Sequence, residues 1–176
     1  MISNCSGMGE SNEKQTAGMK KEEFLKLVTS VFKKYGFSKK GNNYYLDFEN
    51  DFVGVFGLQK STYDAYYYIE FGFAIKNLNP KMPFPKYYEL NLNFDRIKFE
   101  FSSDVHAVFY ENLNKESFIE IIEQKILWFI EMGRSGRDSI RKNFCEFGSY
   151  AIGKSSLAYL EISPDSKLVF PETLWT

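Results

Sequence analysis

The sequence predicts an α+β fold: an antiparallel sheet of about five to seven strands, with an N-terminal helix and two later helices packed on one face. Three observations predict it. The apolar period is 3.6 over residues 20–36, falls to 2 over residues 44–101, and returns to 3.6 after residue 114, so helices and strands are segregated along the chain. Short turn signals separate the first strands, as hairpins require. Finally, the strand region is broken once, by a proline-rich connection rather than a helix.

In KKEEFLKLVTSVFKKYGF, residues Phe24, Leu27, Val28, Val31 and Tyr35 share one helical stripe, with Lys26, Lys33 and Lys34 away from it. Gly36 is placed to cap that helix after the lysines of its last turn. Tyr44, Leu46 and Phe48 then alternate with Tyr45, Asp47 and Glu49, and Asn50-Asp51 is a hairpin turn into DFVGVFGLQK, which is apolar on both sides as a central strand would be. A third strand, YYYIEFGFAIK, sets Tyr67, Ile69, Phe71, Phe73 and Ile75 against Tyr66, Tyr68, Glu70 and Lys76. One sheet face is therefore covered and the other only partly dry.

Residues 77–89 carry Pro80, Pro83 and Pro85, which excludes regular structure and marks a long connection of the functional or mobile kind. Beyond it Leu90, Leu92 and Phe94 alternate in one parity and Ile97, Phe99 and Phe101 in the other, so a turn or bulge is expected at Asp95-Arg96. Ser102 to Asp104 turn the chain into VHAVFY. Asn114 is an N-cap for a helix whose stripe is Phe118, Ile122, Ile126, Phe129 and Ile130, ending at Gly133. After GRSGR a second helix over 138–147 points Ile140, Phe144 and Phe147 inward, and SLAYLEISPDSKLVFPETLWT reads as two short strands about a turn. Residues 1–18 are polar and lack an apolar period, so a disordered tail is expected there, with Met19 a candidate ancestral start and residues 19–176 forming one domain.

Eighteen Phe and 12 Tyr predict a core of rings. A net charge of −1 supplies no field to hold a polyanion, which argues against nucleic-acid binding. No apolar run approaches the roughly 20 residues a bilayer span needs, and the N-terminus lacks a secretory pattern, so a cytoplasmic location is expected. Cys5 and Cys145 are too isolated to suggest a disulfide framework. One His and two separated Cys cannot supply four N/S ligands, which excludes a structural zinc site within the chain; oxygen-ligated Mg²⁺ or Ca²⁺ leaves no such signature, no D-x-[DN]-x-[DN]-G loop is present, and no metal site or cofactor is predicted.

GSYAIGKSS, Gly148 to Ser156, matches G-x-x-x-x-G-K-S, the phosphate-cradling loop of many nucleotide hydrolases. That loop works between a buried strand and a helix, where backbone N–H groups and the helix N-terminus face the phosphates. Here the preceding RDSIRKNFCEF has helical period and the following segment reads as extended. Only 21 residues follow Ser155, too few for the strand that would carry a magnesium-binding Asp. Context therefore argues against nucleotide binding at Gly148–Ser155.

His106 has no partner Ser or Cys at a recognisable spacing, and reads as a strand histidine with a hydrogen-bonded ring. Lys20 to Lys40 hold seven Lys against Glu22 and Glu23, whereas Asp95 to Glu131 hold eight acids against four bases: a docking asymmetry or two solvated faces. Arg134 and Arg137 are placed to grip a carboxylate or phosphate at a helix start, unless GRSGR is only a flexible connection between helices, the commoner case. The group that most suggests recognition is Gln59, Lys60, Tyr66, Tyr68, Glu70 and Arg96, whose polar ends gather on the less covered sheet face if the strands pair as hairpins; the equal alternative is a Tyr-coated face covered by the C-terminal strands.

GFSKKGNNYY (36–45), FGLQKS (56–61) and YYIEFGFAIK (67–76) together resemble the bacterial family called domain of unknown function 4304, over about residues 20–76. The sequence departs from the family pattern at Glu70, where Asn is usual. The resemblance implies an α+β fold and a bacterial source, and brings no activity. Lys40, Gly41 and Asn42 fit a turn in which Gly41 takes a positive φ, as readily as a binding role. The expected function is a non-enzymatic protein-interaction module, of the toxin-neutralising kind. The alternative is a small-molecule-binding domain or enzyme that uses the same Tyr-rich face as a pocket wall and the proline-rich loop as a lid.

Overall fold

The computed structural model describes residues 18–102, 104–147 and 152–163. Strands β1 (Ser38–Lys40), β2 (Asn43–Asp47), β3 (Phe52–Lys60), β4 (Tyr66–Ile75) and β5 (Leu92–Arg96) form an antiparallel sheet in chain order, and β6 (Ala107–Phe109) pairs with β4 beside β5. Four α-helices, α1 (Lys21–Lys34), α2 (Lys115–Ser135), α3 (Arg137–Phe147) and α4 (Lys154–Leu160), and two 3-10 turns (Tyr87–Glu89 and Tyr110–Asn112) complete the described elements. The architecture is α+β, with one more helix than the sequence predicts.

Register decides which residues face the helices. Phe56 lies opposite Tyr44 and Phe71, and Val108 opposite Tyr67, so these side chains and Ile69, Phe73 and Ile75 share one face. All are buried, as the alternation of β4 predicts. From α1, Phe32 stacks on Tyr44 at 4.4 Å, while Phe24 meets Tyr67 and Phe118. Phe129 of α2 stacks on Phe73 at 4.3 Å. Phe144 of α3 meets Phe94, and Tyr159 of α4 meets Phe52, so all four helices lie on this face. Phe32, absent from the expected stripe, is fully buried because Phe37, Tyr44 and Phe56 surround its ring.

Local chemistry sets the turns. Gly41 has φ +61° in the two-residue link between Lys40 and Asn43, with no atom near its missing Cβ, so the backbone angle is what demands glycine. At the next hairpin Asp47 and Asn50 carboxyl and amide oxygens accept from the Glu49 and Phe52 N–H groups. Asp95, at φ +72°, is the extra residue where Gly72↔Asn93 gives way to Glu70↔Arg96, which places the bulge at Asp95-Arg96. Asn114 caps α2 through the Ser117 N–H.

Several expectations are corrected. Ile97 and Phe99 are buried but form no strand, and Phe101 is 40% exposed, so their alternation reports burial rather than a ladder. The α2 helix runs past Gly133, whose missing side chain admits the Phe48 ring, and stops at Gly136 with φ +78°. Phe147 is exposed rather than inward. Lys154–Leu160 is helical where an extended segment was expected, because Ser156, Leu157 and Leu160 turn one short apolar face inward. The expected tail, apart from Gly18, and the second of the two expected C-terminal strands lie outside the described residues.

On the sheet's other face the proline-rich connection folds back against the strands. Phe84 meets Tyr45 edge-on at 5.3 Å, which buries a tyrosine expected on the polar side. Tyr87, in a 3-10 turn over Tyr87–Glu89, lies over Gly57, where a Cβ would stand 2.5–2.7 Å from its side chain. Gly57→Ala is therefore expected to cost about 1–2 kcal/mol by overpacking. It should also raise amide exchange over residues 84–89 selectively; unchanged exchange there would show that Tyr87 does not hold the loop down.

Candidate functional site

Five of the six residues singled out in the sequence meet on this outer face. Glu70 and Arg96 are register partners, and Arg96 Nε lies 3.1 Å from Glu70 Oε1 while Nη2 donates to Gln59 Oε1 at 3.2 Å. The guanidinium carbon sits 3.8 Å from the Tyr68 ring centre. Tyr68 donates from its hydroxyl to Tyr66 at 3.2 Å, and Tyr66 packs on Phe109 at 4.9 Å. Lys60 does not join: it stands opposite Tyr67, on the other parity, and is exposed.

Burial raises the Glu70 carboxyl above its usual range, and the Arg96 hydrogen bond and charge offset only part of that. The Tyr68 phenol is raised mainly by its bond with Tyr66, then by burial. Glu70 and Arg96 thus answer each other, and the cluster offers flat rings and a fixed cation for recognition. The proline-rich loop extends that surface. Phe84 is 46% and Tyr88 61% exposed, with Lys40 Nζ 4.2 Å from the first ring centre and Lys86 Nζ 5.3 Å from the second. Sequence reasoning missed both rings, for which the Phe-Pro and Tyr-Tyr pairs inside a polar loop were the available signal.

A cavity of about 530 Å³ shares Arg96 with this cluster and is otherwise lined by Phe71, Phe94, Lys98, Lys125, Trp128 and Phe147. None of Gln59, Lys60 or Glu70 lines it, so the pocket expected on the Tyr-rich face is not where this cavity opens.

The remaining candidates resolve locally. Arg137 does grip a carboxylate, but it is Glu161 at the end of α4, which Arg141 also approaches. The same guanidinium faces Tyr159, whose hydroxyl bonds Asp51; burial and that carboxylate push the phenol up to about 12. Lys34 pairs with Glu123 at 2.7 Å, so the basic and acidic stretches partly meet each other across α1 and α2. His106 precedes β6 rather than lying in it, and its Nδ1 is buried without a partner instead of hydrogen-bonded. Lys154 and Ser155 open a helix, yet the element before them is α3 rather than a strand, and residues 148–151 lie outside the described residues. Among the described residues, no three His, Cys, Asp or Glu side chains are grouped to hold a metal ion, and no helix is long and apolar enough to cross a membrane.

The family described as domain of unknown function (DUF4304) matches residues 28–131, more than half of the chain. The chain belongs to the DUF4304 family. The matched region runs from α1 into α2 and so contains the whole sheet, the proline-rich loop and the Glu70–Arg96 cluster. No curated protein and no solved structure matches this DUF4304 chain.

Proposed function

We propose that this DUF4304 protein is a non-enzymatic interaction module, cytoplasmic and bacterial, that docks a protein partner on the outer face of its sheet. One observation carries the reading: the loop that packs on this face through Phe84 and Tyr87 still leaves the Phe84 and Tyr88 rings largely in water, each beside a lysine, on the face that also holds the Tyr66–Tyr68–Arg96 row. Aromatic rings with adjoining cations are the composition of interface hot spots, because they bury much area with few rotors to freeze. Lys40 and Lys86 stand beside them and Lys81 is exposed in the same loop, so the partner that fits presents apolar pockets within an acidic rim. A toxin held inactive by this face is the partner class proposed.

Arg96 is a poor probe of this face because it also holds Glu70. Lys86→Glu combined with Tyr88→Ala touches only exposed groups. It is expected to weaken capture of the native-host partner about 100-fold without shifting the melting temperature, whereas Leu127→Ala on the helix layer should leave capture unchanged. Native mass spectrometry of the captured material, wild type against both variants, reads the outcome. Equal capture by the outer-face variant would move the docking surface elsewhere.

A further inference from the structure

The cavity between β5, α2 and α3 combines two properties that the fold alone does not require. Its walls are aromatic, from Phe71, Phe94, Trp128 and Phe147, and its charged groups are all cations, Arg96, Lys98 and Lys125. A core lined this way would ordinarily recruit a carboxylate from the chain. Arg96 has one in Glu70, but among the described residues neither Lys98 nor Lys125 has an ion-pair partner.

Lys125 is the more informative. It flanks the buried stripe of α2, and its ammonium is turned over aromatic faces, 4.4 Å from the Trp128 ring centre and 5.6 Å from that of Phe71. Burial, with Lys98 nearby, holds it below the usual lysine range, so the site would gain from an added negative charge. Phe147 supplies an independent sign. It lines the cavity from the last residue of α3 and is 54% exposed, a large ring left in water at the cavity mouth. Something apolar placed against it would remove that surface from solvent.

We infer that this cavity is a binding site for a small aromatic organic anion of the carboxylate or sulfonate class, its ring system against Phe94, Trp128 and Phe147 and its charge between Lys98 and Lys125. A volume of about 530 Å³ falls in the range of small-molecule sites and admits a body of one or two fused rings. Ring stacking supplies contact area, and the two ammonium groups select for charge at one end. The site adjoins the outer face through Arg96, which lines both, and adds a ligand to the interaction module proposed above.

The test uses the full chain and 8-anilinonaphthalene-1-sulfonate as the fluorescent probe, well below the melting temperature. The expected result is saturable binding of one probe per chain. It should be displaced by 1-naphthaleneacetate about tenfold or more better than by the uncharged 1-naphthalenemethanol, the factor that a charge-assisted contact provides. Lys125→Met keeps the long apolar stem and should abolish that preference, as should Lys98→Met, while Lys125→Arg retains it. Lys142→Met, on the exposed side of α3, serves as the unaffected control. Circular dichroism confirms that each variant is folded. Absence of saturable binding, equal displacement by the neutral alcohol, or a preference that survives both methionine variants would each overturn the assignment.

Discussion

Phe129→Ala is expected to lower the unfolding free energy by about 3–5 kcal/mol, a large part of the 5–15 kcal/mol typical of a domain. The ring is fully buried, stacks on Phe73 at 4.3 Å, and meets Phe56 at 4.8 Å and Phe71 at 5.8 Å. It also fills the space above Gly54, where a Cβ would stand 2.4 Å from Phe129 Cε1. Because Gly54 has no side chain to relax into the gap and the flanking rings are held by β3 and β4, the cavity left by alanine cannot close. Urea unfolding should show the loss with an unchanged slope. A cost below about 1 kcal/mol would mean that neighbouring rings repack, and that α2 is not fixed to the sheet through this residue.

That contact also shows why much of the fold was legible in the sequence. In strand β4 the residues Tyr67, Ile69, Phe71, Phe73 and Ile75 all face the rings of the helix layer, while between them Tyr68 and Glu70 are half-buried and the small Gly72 and Ala74 are buried, and α2 keeps its stripe against the same rings. Polar backbone chemistry was equally readable at Gly41 and at the Asp95 bulge, since each position needs a residue that accepts positive φ or an extra link in the ladder. Where the reading failed, burial came without a regular period. Ile97 and Phe99 are buried although each keeps only a single cross-segment backbone bond, from the Ile97 N–H to Ile69 O and from the Phe99 N–H to Val105 O, and α4 needs only Leu157 and Leu160, too few residues to distinguish a helical period from an extended one. Tyr45 was assigned to water by its parity, and the proline-rich loop brings Phe84 to cover it.

The outer-face cluster was visible because it rests on strand register: once β3, β4 and β5 pair as hairpins, Gln59, Glu70 and Arg96 must be neighbours. Lys60 was misplaced by a single residue of parity, which in a strand is the opposite face. The cavity had no such signature. Its lining comes from residues 71 to 147 on β4, β5, α2 and α3, and only packing of helices on the sheet edge brings Lys98 and Lys125 together. Lysine in an amphipathic helix ordinarily reads as solvated surface, so Lys125 carried no mark of its half-buried place.

Arg96→Met is expected to cost about 2–3 kcal/mol at pH 7, discounted from a fully buried ion pair because the Arg96 side chain is 33% exposed while that of Glu70 is only 13%. The pH dependence identifies the cause. An acid whose native pKa is raised binds its proton more readily in the native state, so its contribution is fully present below the unfolded value and is lost as pH rises through the native one. Glu70 is already in that class, since burial outweighs Arg96. Removing the guanidinium takes away the hydrogen bond and the charge that hold the carboxyl down, which moves its native value further up and widens the window. Most of the lost stability should therefore return as pH falls toward the ordinary glutamate value of about 4.3. Adding Glu70→Gln should flatten the pH dependence of the Arg96→Met background and recover part of the loss at neutral pH, a coupling that a double-mutant cycle reads directly. If the loss is instead independent of pH and unrelieved by Glu70→Gln, then Arg96 acts through its packing on Tyr68 at 3.8 Å, and the charge pair is incidental to holding the recognition face flat.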